Sequence, residues 1–338
     1  MNLVVVTGAI GWLGASLVKA LADGASFRSI TVAPRRVRCV VLPEASGAAL
    51  SGLGPNVEVV RADLRDPRAL SGVCDGAATV FHAAGIVHPR RVRELYEVNV
   101  DGTRNILNAA VASRVKRFVF VSSNSPAGLN ESAGRLMTEE DPPRPYLSYG
   151  LSKLQAEWVV NDAFRAGRIE TAIARPCWFY GPNQPARQTK FFRMIKGGRP
   201  IVVGLGGNLR SLSYVDNTVQ GLLLLEAIEK AAGRTYWITD RRAYSFIEIL
   251  ETVAKLLDVR IRPRYLPTVA SDVARLVDSL LQMAGLYQQE IHVAGELAAS
   301  IAVSIDAARQ DLGYDPEVEL EEGMRRSIDW CRAHGEAL

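Results

Sequence analysis

The chain has 338 residues, of which 48% are hydrophobic and 22% are charged, and its formal net charge is +4. This length accommodates one large α/β domain or two smaller ones, and the composition is ordinary for a globular protein. Since no block of five like charges occurs, the sequence does not favour nucleic-acid binding.

Strands and helices alternate along the first half of the chain. This alternation predicts a Rossmann-type α/β domain over residues 1–175, a doubly wound parallel sheet with helices on both faces. Strands are expected at 3–7, 39–42, 57–61, 79–82, 118–122 and 171–175, and helices at 13–22, 95–113 and 150–166. The long segment 25–37 is interpreted as a surface insertion or as a small extra strand pair.

Proline and glycine become frequent after residue 175, which predicts loops and short elements. Residues 176–338 are expected to form mainly a smaller α/β substrate domain, with parts of 208–240 returning to the first domain. Helices are predicted at 246–257, 269–281 and 319–333. One face of the second carries Val269, Val273, Leu276, Val277, Leu280 and Leu281. We expect this apolar stripe to pack against the body of the protein rather than against a membrane surface.

Three glycines, Gly8, Gly11 and Gly14, follow the first predicted strand and open the first predicted helix. In a dinucleotide-binding turn the first glycine permits the tight turn, the second admits the pyrophosphate, and the third lets helix and strand pack closely. The spacing GxxGxxG is one residue longer between the first two glycines than in the commonest fingerprint. We interpret the motif as a cofactor cradle rather than as a bare structural turn.

The residues near the second and third strands bear on the choice between NAD and NADP. Glu44 is a candidate for the adenosine ribose hydroxyls, whereas Arg35, Arg36 or Arg38 are candidates for a 2′-phosphate. NAD is favoured and NADP is not excluded. Asp63 is a candidate contact for the adenine amino group, and its alternative role is a helix N-cap.

Tyr149 and Lys153 lie one helical turn apart and therefore share one helix face. The lysine charge is expected to lower the pKa of the Tyr149 phenol towards neutrality, which suits proton transfer. Lys153 can also donate to nicotinamide ribose hydroxyls. Ser122 and Ser123 end the fifth strand, at the sheet edge where ligands bind, and a hydroxyl there can hydrogen-bond the substrate oxygen.

Over nearly its full length the chain resembles the extended short-chain dehydrogenase/reductase superfamily, in its NAD-dependent epimerase/dehydratase branch. The matching motifs are Thr-Gly-Ala-Ile-Gly-Trp-Leu-Gly at 7–14, Ala-Asp-Leu at 62–64, Phe-His-Ala-Ala at 81–84, Val-Asn-Val-Asp-Gly-Thr at 98–103, Ser-Ser at 122–123, Tyr149 with Lys153, Arg-Pro at 175–176, Tyr-Gly-Pro at 180–182, Tyr-Val-Asp-Asn at 214–217, and Asp-Leu-Gly-Tyr-Asp-Pro at 311–316.

The resemblance implies a catalytic triad of Ser123, Tyr149 and Lys153, and no metal ligand. It implies that Asn99 orders the site through its backbone and a water. The implied cofactor-binding residues are Gly8, Ile10, Gly11, Trp12, Leu13, Gly14, Asp63, Leu64, Ala83, Ala84, Asn99, Ser122, Tyr149, Lys153 and Pro176.

The family contains nucleotide-sugar epimerases, dehydratases and reductases, and also relatives that act on sterols and flavonoids. Its dehydratases usually carry Asp-Glu after the strand-end serine or threonine. Here Ser123 is followed by Asn124, Ser125 and Pro126, so dehydration is not expected.

Two further positions favour different substrates. Arg210 lies four residues before Tyr214, the spacing at which sugar-nucleotide enzymes carry an arginine for the diphosphate, although a surface arginine is the alternative. Trp178 replaces the asparagine usual in those enzymes, and it can stack on a base or sugar or line an apolar pocket. The helical region 268–304 looks more like that of the sterol- and flavonoid-type reductases.

Two enzymatic hypotheses therefore stay open. The first is a nucleotide-sugar epimerase or 4-ketoreductase, in which Tyr149 is the acid/base and hydride passes to or from nicotinamide. The second is a dehydrogenase or reductase of an apolar alcohol or ketone, similar to 3β-hydroxysteroid dehydrogenases or flavonoid reductases. A non-enzymatic nucleotide-sensing protein is disfavoured by the intact triad. The predicted substrate-binding residues are Ser123, Asn124, Trp178 and Arg210.

The expected location is the cytoplasm. The four cysteines are widely separated without a CxxC pair, which argues against a zinc knuckle and a disulfide framework. No apolar stretch reaches 18 residues, and the first residues lack the basic region and cleavage site of a signal peptide. The family resemblance implies a homodimer formed through the helices near 95–113 and 150–166.

Overall fold

Seven parallel strands form the central sheet of the protein, which a computed structural model describes at residues 2–47, 50, 52–132, 134–336 and 338. Across the sheet the strand order is β5-β4-β1-β6-β7-β8-β12. The strands are β1 Leu3–Thr7, β4 Arg36–Val41, β5 Val57–Arg61, β6 Ala77–His82, β7 Arg117–Val121, β8 Glu170–Arg175 and β12 Arg234–Trp237. The predicted Rossmann-type parallel sheet is confirmed.

Eleven α-helices lie within the described residues. The helix predicted at 95–113 is interrupted, because a π-helical segment, Glu97–Gly102, separates α2 from α3. The helices are α1 Trp12–Asp23, α2 Val92–Tyr96, α3 Thr103–Ala112, α4 Leu147–Arg165, α5 Ala186–Lys196, α6 Val215–Ala227, α7 Phe246–Leu256, α8 Val269–Met283, α9 Gln289–Glu296, α10 Asp306–Leu312 and α11 Leu320–Ala333.

Both faces of the sheet are buried, and alternate residues of each strand supply the two cores. Val4 and Val6 of β1 belong to the core under α1 and α6. Leu3 and Val5 belong to the core under α3 and α4. This double burial explains why the strands read as continuous apolar runs in the sequence.

The segment between α1 and β4 forms a small antiparallel pair, β2 Ala25–Ser26 and β3 Thr31–Val32. Of the two interpretations of residues 25–37, the extra strand pair is the right one. The pair packs against the far end of the chain, since Ser29 donates to the carbonyl oxygen of Gly313 at 2.6 Å.

Two small sheets stand beside the central sheet. The first contains β9 Trp178–Tyr180, β11 Leu209–Tyr214 and β13 Ala243–Ser245, and the second contains β10 Ile201–Val203 and β14 Arg264–Leu266. They share a separate core with α5, α7 and α11. Between these elements the chain returns to the central sheet, since α6 packs beneath it and β12 forms its edge.

Helix α8 is oriented opposite to the prediction. Its apolar stripe, which includes Val273 and Leu276, is exposed to solvent, whereas its buried residues are Ser271, Asp278 and Gln282. The prediction that the stripe packs against the body is wrong, because polar side chains occupy the inner face and bond there. No helix in the described part of the chain is both long and apolar enough to cross a bilayer.

Candidate active site

The turn between β1 and α1 is closed by contacts that only glycine permits. Gly8 has a φ of +70°, and a Cβ on Gly14 would lie 2.0 Å from the carbonyl oxygen of Gly8. Gly11 is the N-cap of α1 and supplies no side-chain cap. The first N–H groups of α1 are therefore left for an anion, and the helix dipole favours a diphosphate there.

The three apolar residues of this turn have different surroundings. Ile10 is exposed at the sheet edge, whereas Leu13 is buried in the core under α1. The Trp12 indole donates from Nε1 to the carbonyl oxygen of Pro182 at 2.5 Å, and its ring lies against Phe179. Trp12 thus joins the nucleotide cradle to the segment that follows β9.

The three arginines considered for a 2′-phosphate lie at the wrong edge of the sheet. Arg36 begins β4, whereas the glycine turn follows the carboxyl end of the parallel strand β1. Arg35 pairs with Glu226 at 2.6 Å, and Arg38 donates to the carbonyl oxygens of Val73 and Asp75. Their predicted role at the cofactor is therefore wrong.

Glu44 follows β4 at the correct edge, in a loop that Arg61 holds. The Arg61 guanidinium donates to the carbonyl oxygens of Pro43 and Ala45 at 2.8 and 2.7 Å. The Glu44 side chain is exposed in this loop, and its contact with the ribose hydroxyls of a dinucleotide stays a prediction.

Asp63 follows β5 and forms a local turn with Arg65. Its carboxylate accepts from the Arg65 backbone N–H at 2.9 Å and from the Arg65 guanidinium at 2.6 Å. These hydrogen bonds hold the pKa of Asp63 below its ordinary value. The neighbouring Leu64 is buried in the core. The adenine contact of Asp63 stays a prediction. The alternative, a capping role, resembles the observed bond in which the Asp63 carboxylate accepts from the Arg65 backbone N–H.

A chain of hydrogen bonds crosses the sheet below the cofactor edge. The Ala84 N–H donates to the Thr7 hydroxyl, which lies 2.6 Å from Nδ1 of His82. On the other side, Nε2 of His82 lies 2.8 Å from the Thr103 hydroxyl, which donates to the carbonyl oxygen of Asn99. Because the Thr103 hydroxyl donates its proton to Asn99, it accepts from His82, and the imidazole proton is therefore assigned to Nε2. The matching motif at 81–84 contains His82, but the sequence assigns no role to this histidine.

Asn99 lies in the π-helical segment and holds the loop after β6. Its amide accepts from the Ile86 N–H at 2.8 Å and donates to the Ile86 carbonyl oxygen at 3.0 Å and to the Ser152 hydroxyl at 3.1 Å. Ser152 donates in turn to the carbonyl oxygen of Tyr149. Asn99 therefore orders the loop through its side chain, and its implied role through the backbone and a water stays a prediction. The π-helical geometry is a common feature of functional sites.

Ser123 and Tyr149 are brought together at the carboxyl edge of the sheet, where the Ser123 side chain acts to lower the pKa of the Tyr149 phenol. The Tyr149 pKa is raised rather than lowered: burial raises it, whereas the bond to Ser123 and the charge of Arg187 act in the opposite direction. The prediction that Lys153 lowers the pKa of Tyr149 is wrong for the chain by itself. The phenol is accordingly protonated at neutral pH.

Lys153 is buried on the same helix face as Tyr149. Its ammonium donates to the carbonyl oxygen of Val121 at 2.8 Å and lies 4.3 Å from the centre of the Phe120 ring. Burial lowers the pKa of Lys153 to about 7, although the charge of Glu157 favours the protonated form. A lysine with this pKa exchanges its proton readily at neutral pH.

Ser122 faces away from the cofactor edge. Its hydroxyl donates to the Glu157 carboxylate at 2.5 Å, and Glu157 also accepts from Arg175 at 2.6 and 2.9 Å. All three residues are buried. The Ser122 side chain therefore fixes α4 against β8, and its cofactor contact stays a prediction. The ion pair was not anticipated, since its partners are 18 residues apart in sequence.

Three of the predicted site residues, Asn124, Pro176 and Trp178, follow the carboxyl ends of β7 and β8. Pro176 is buried. Trp178 donates from Nε1 to Gln188 at 3.2 Å and packs edge-on against Phe191. Asn124 lies beside the triad, with its amide oxygen 3.5 Å from the Ser123 hydroxyl.

Arg210 is buried in β11 and is not the surface arginine that was its alternative. Its guanidinium donates to the backbone carbonyl oxygen of Glu296 at 2.5 Å and forms no ion pair with a carboxylate of the described residues. Burial lowers the pKa of Arg210, whereas the charge of Glu296 raises it.

A polar network connects α8 and α9 to the triad. The Asp278 carboxylate lies 2.7 Å from Nδ1 of His292 and accepts from Gln282 at 2.9 Å. Gln282 accepts from the backbone N–H of Ser148 at 3.0 Å, directly before Tyr149. The network thus joins α8 and α9 to the residue before Tyr149, and these residues were missed because their polar positions lie between the apolar ones in sequence.

Residues 4–238 match the NAD dependent epimerase/dehydratase family, and the chain belongs to this family. It is 40% identical to the uncharacterized protein y4nL of Sinorhizobium fredii, over 99% of this chain and 97% of that protein. It is 28% identical to UDP-glucose 4-epimerase of Vibrio cholerae, over 96% and 94% of the two chains. It is 27% identical to 3beta-hydroxysteroid-dehydrogenase/decarboxylase isoform 1 of Arabidopsis thaliana, over 96% and 78%.

Solved structures of other proteins also resemble the chain. The fold is similar to that of dTDP-glucose 4,6-dehydratase from Streptomyces venezuelae with NAD bound, with a TM-score of 0.78 and 25% identity over 98% and 97% of the chains. The predicted family and the predicted cofactor, NAD, are confirmed. The chain is an NAD-dependent oxidoreductase of the epimerase/dehydratase family.

Proposed function

We propose that the enzyme oxidises or reduces a hydroxyl-bearing carbon of a nucleotide sugar, as an epimerase or a ketoreductase. The observation that carries this proposal is the buried Arg210, whose guanidinium donates to a backbone carbonyl oxygen and forms no direct ion pair among the described residues, although the charge of Glu296 acts on it. A buried cation is costly unless an anion or several acceptors compensate it. A diphosphate would do so through charge-assisted, bidentate hydrogen bonds.

The residues of the triad would move the proton of the reacting hydroxyl. Bound NAD supplies the hydride acceptor or donor. In the reductive direction the protonated Tyr149 donates to the substrate oxygen, and in the oxidative direction its phenolate accepts the hydroxyl proton. Ser123, which lies beside Tyr149 at the carboxyl edge of the sheet, would hold the same substrate oxygen. Lys153 would reach the nicotinamide ribose.

Dehydration is not part of the proposal. The loop after Ser123 continues with Asn124, Ser125 and Pro126, and it carries no carboxylate beside the triad. Removal of water from a sugar needs an acid and a base in addition to the hydride step.

An apolar alcohol or ketone is the second candidate substrate. The helices α8 and α9, which Gln282 joins to Ser148 directly before Tyr149, support it. The similarity to a 3beta-hydroxysteroid-dehydrogenase/decarboxylase, over 96% of this chain and 78% of that protein, supports it as well.

Calorimetric titration with UDP, dTDP and their glucose conjugates separates the two candidates. We expect the wild type to bind a nucleotide diphosphate, and Arg210→Gln to bind it about ten- to a hundredfold more weakly, which is the effect of one lost charged hydrogen bond. Arg168→Gln, an exposed arginine on the far side of the chain, is the control and retains affinity. Absence of nucleotide binding in the wild type would reject the sugar and favour the apolar substrate.

A further inference from the structure

The exposed face of α8 lies beside further exposed apolar side chains, on β14 and in the turn after β10. On α8, Leu276 is 62% exposed, Leu280 54% and Met283 74%. The strand that precedes α8, β14, exposes Leu266, and Leu205 in the adjoining turn is 90% exposed. The pieces are contiguous, because the N–H of Gly204 donates to the carbonyl oxygen of Leu266 at 2.8 Å. We call this surface the α8 face.

The α8 face is the outer side of the helix, and the described part of the chain has no core into which it would turn. The opposite side of α8 is buried and polar, and its groups are hydrogen-bonded: Ser271 donates to the carbonyl oxygen of Ala294 at 2.8 Å, and Asp278 bonds His292 and Gln282. Turning the helix over would break these bonds in a buried environment. The apolar side chains are therefore held in solvent, and exposed apolar surfaces of this extent mark interaction sites.

Basic side chains border the α8 face at one end. Arg199, Arg260, Arg262 and Arg264 are exposed around the pair of strands β10 and β14. The chain segments are adjacent there, since the N–H groups of Arg262 and Arg264 donate to the carbonyl oxygens of Gly198 and Pro200. None of the four guanidinium groups has an ion-pair partner among the residues that the structure describes.

The charge near this surface is unbalanced. Its nearby carboxylates are Asp258, in the same loop as Arg260, and Asp272, which already lies 3.7 Å from Arg275. A partner that is apolar in depth and negatively charged at its surface complements both parts of the face.

We propose that the α8 face docks the protein onto a membrane surface that contains anionic lipids. The leucines and Met283 enter the boundary between headgroups and acyl chains, and the four arginines bind lipid phosphates. The helix lies in the plane of the surface, and its polar side, which includes Gln282, stays on the protein. Since Gln282 is bonded to Ser148 beside Tyr149, docking also brings the catalytic site next to the membrane.

Vesicle flotation of the full chain tests the proposal. The wild type is expected to float with vesicles of phosphatidylcholine and phosphatidylglycerol, to do so much less with phosphatidylcholine alone, and to be released by high salt. The double variant Leu276→Glu/Leu280→Glu is expected to bind at least about tenfold more weakly, since charges cannot enter the acyl boundary. Leu42→Glu, an exposed leucine after β4, is the matched control and retains binding.

The charge contribution has its own variant pair. Arg260→Glu/Arg262→Glu is expected to reduce binding to the anionic vesicles about tenfold, whereas Arg168→Glu does not. Circular dichroism and thermal unfolding check that each variant is folded, which the exposure of these side chains leads us to expect. The proposal is overturned if the wild type floats with neither vesicle. It is equally overturned if sedimentation shows a dimer that Leu276→Glu/Leu280→Glu dissociates while vesicle binding is unaffected.

Discussion

Nε2 of His82 lies 2.8 Å from the hydroxyl of Thr103, so that a strand of the central sheet is bonded to the first turn of α3. Through Thr103 the bond continues to the carbonyl oxygen of Asn99, whose side chain holds the loop after β6. Burial lowers the pKa of His82 to about 3, and the charge of Lys153 acts in the same direction. The neutral imidazole is therefore part of the fold.

The pH dependence of stability is expected to reveal His82. Its pKa is about 6.5 in the unfolded chain and about 3 in the folded one, so the unfolded chain binds one more proton between these values. Its contribution to stability is complete above pH 6.5 and is lost as the pH falls towards 3, by up to about 1.4 kcal/mol per pH unit. Urea unfolding at a series of pH values measures this slope.

The comparison variant is His82→Gln, whose amide hydrogen-bonds but does not titrate. We expect it to be less stable than the wild type at neutral pH by about 1–3 kcal/mol, and to lose less stability on acidification. His334→Gln changes an exposed histidine and is expected to keep the wild-type slope. Equal slopes for His82→Gln and the wild type would contradict a buried neutral His82.

The proton transfer assigned to Tyr149 predicts a separation of turnover from cofactor binding. Tyr149→Phe removes only the hydroxyl that would transfer the proton, and general acid–base catalysis contributes about 10²–10⁴-fold. We expect turnover of the accepted substrate to fall by at least about a hundredfold, while NAD affinity stays within about twofold. Nicotinamide absorbance measures the first quantity and calorimetry the second.

Tyr265→Phe is the control for this variant, because Tyr265 is exposed on β14 and lies outside the triad. It is expected to turn over like the wild type. If Tyr149→Phe retained full turnover, the assignment of the acid/base to Tyr149 would be rejected. If it lost NAD binding as well, the hydroxyl would have a structural role instead.

The glycine turn predicts a sharp difference between two alanine substitutions. In Gly14→Ala the new Cβ would lie 2.0 Å from the carbonyl oxygen and 2.7 Å from the carbonyl carbon of Gly8. These are backbone atoms of the cofactor turn, which cannot move without opening it. We expect a loss of about 3 kcal/mol in unfolding free energy, and NAD binding at least about tenfold weaker.

Gly207→Ala is the matched control, since a Cβ there would meet no atom within 4 Å. Its stability and NAD affinity are expected to equal those of the wild type. Thermal unfolding with and without NAD measures both quantities on the same samples. Wild-type NAD affinity in Gly14→Ala would show that the turn is not the diphosphate cradle.

Much of the nucleotide-binding half follows from local signals. The strands are continuous apolar runs because both sheet faces are covered. The glycines indicate a turn that has no room for a side chain. The spacing of Tyr149 and Lys153 sets one helix face by geometry alone. These features depend on neighbours in the sequence, and the structure has them where they were expected.

The tertiary structure decided the rest. Periodicity identified the apolar stripe of α8 but not the direction it faces, since the buried partners of its polar side, such as His292 and Ser148, come from distant segments. The Tyr149 pKa likewise depends on burial and on the charge of Arg187, which no spacing of Tyr149 and Lys153 contains. The sequence by itself determined which side chains share a face. Which face is buried, and what charge its groups carry, depends on free energies of desolvation and hydrogen bonding that exist only in the assembled fold.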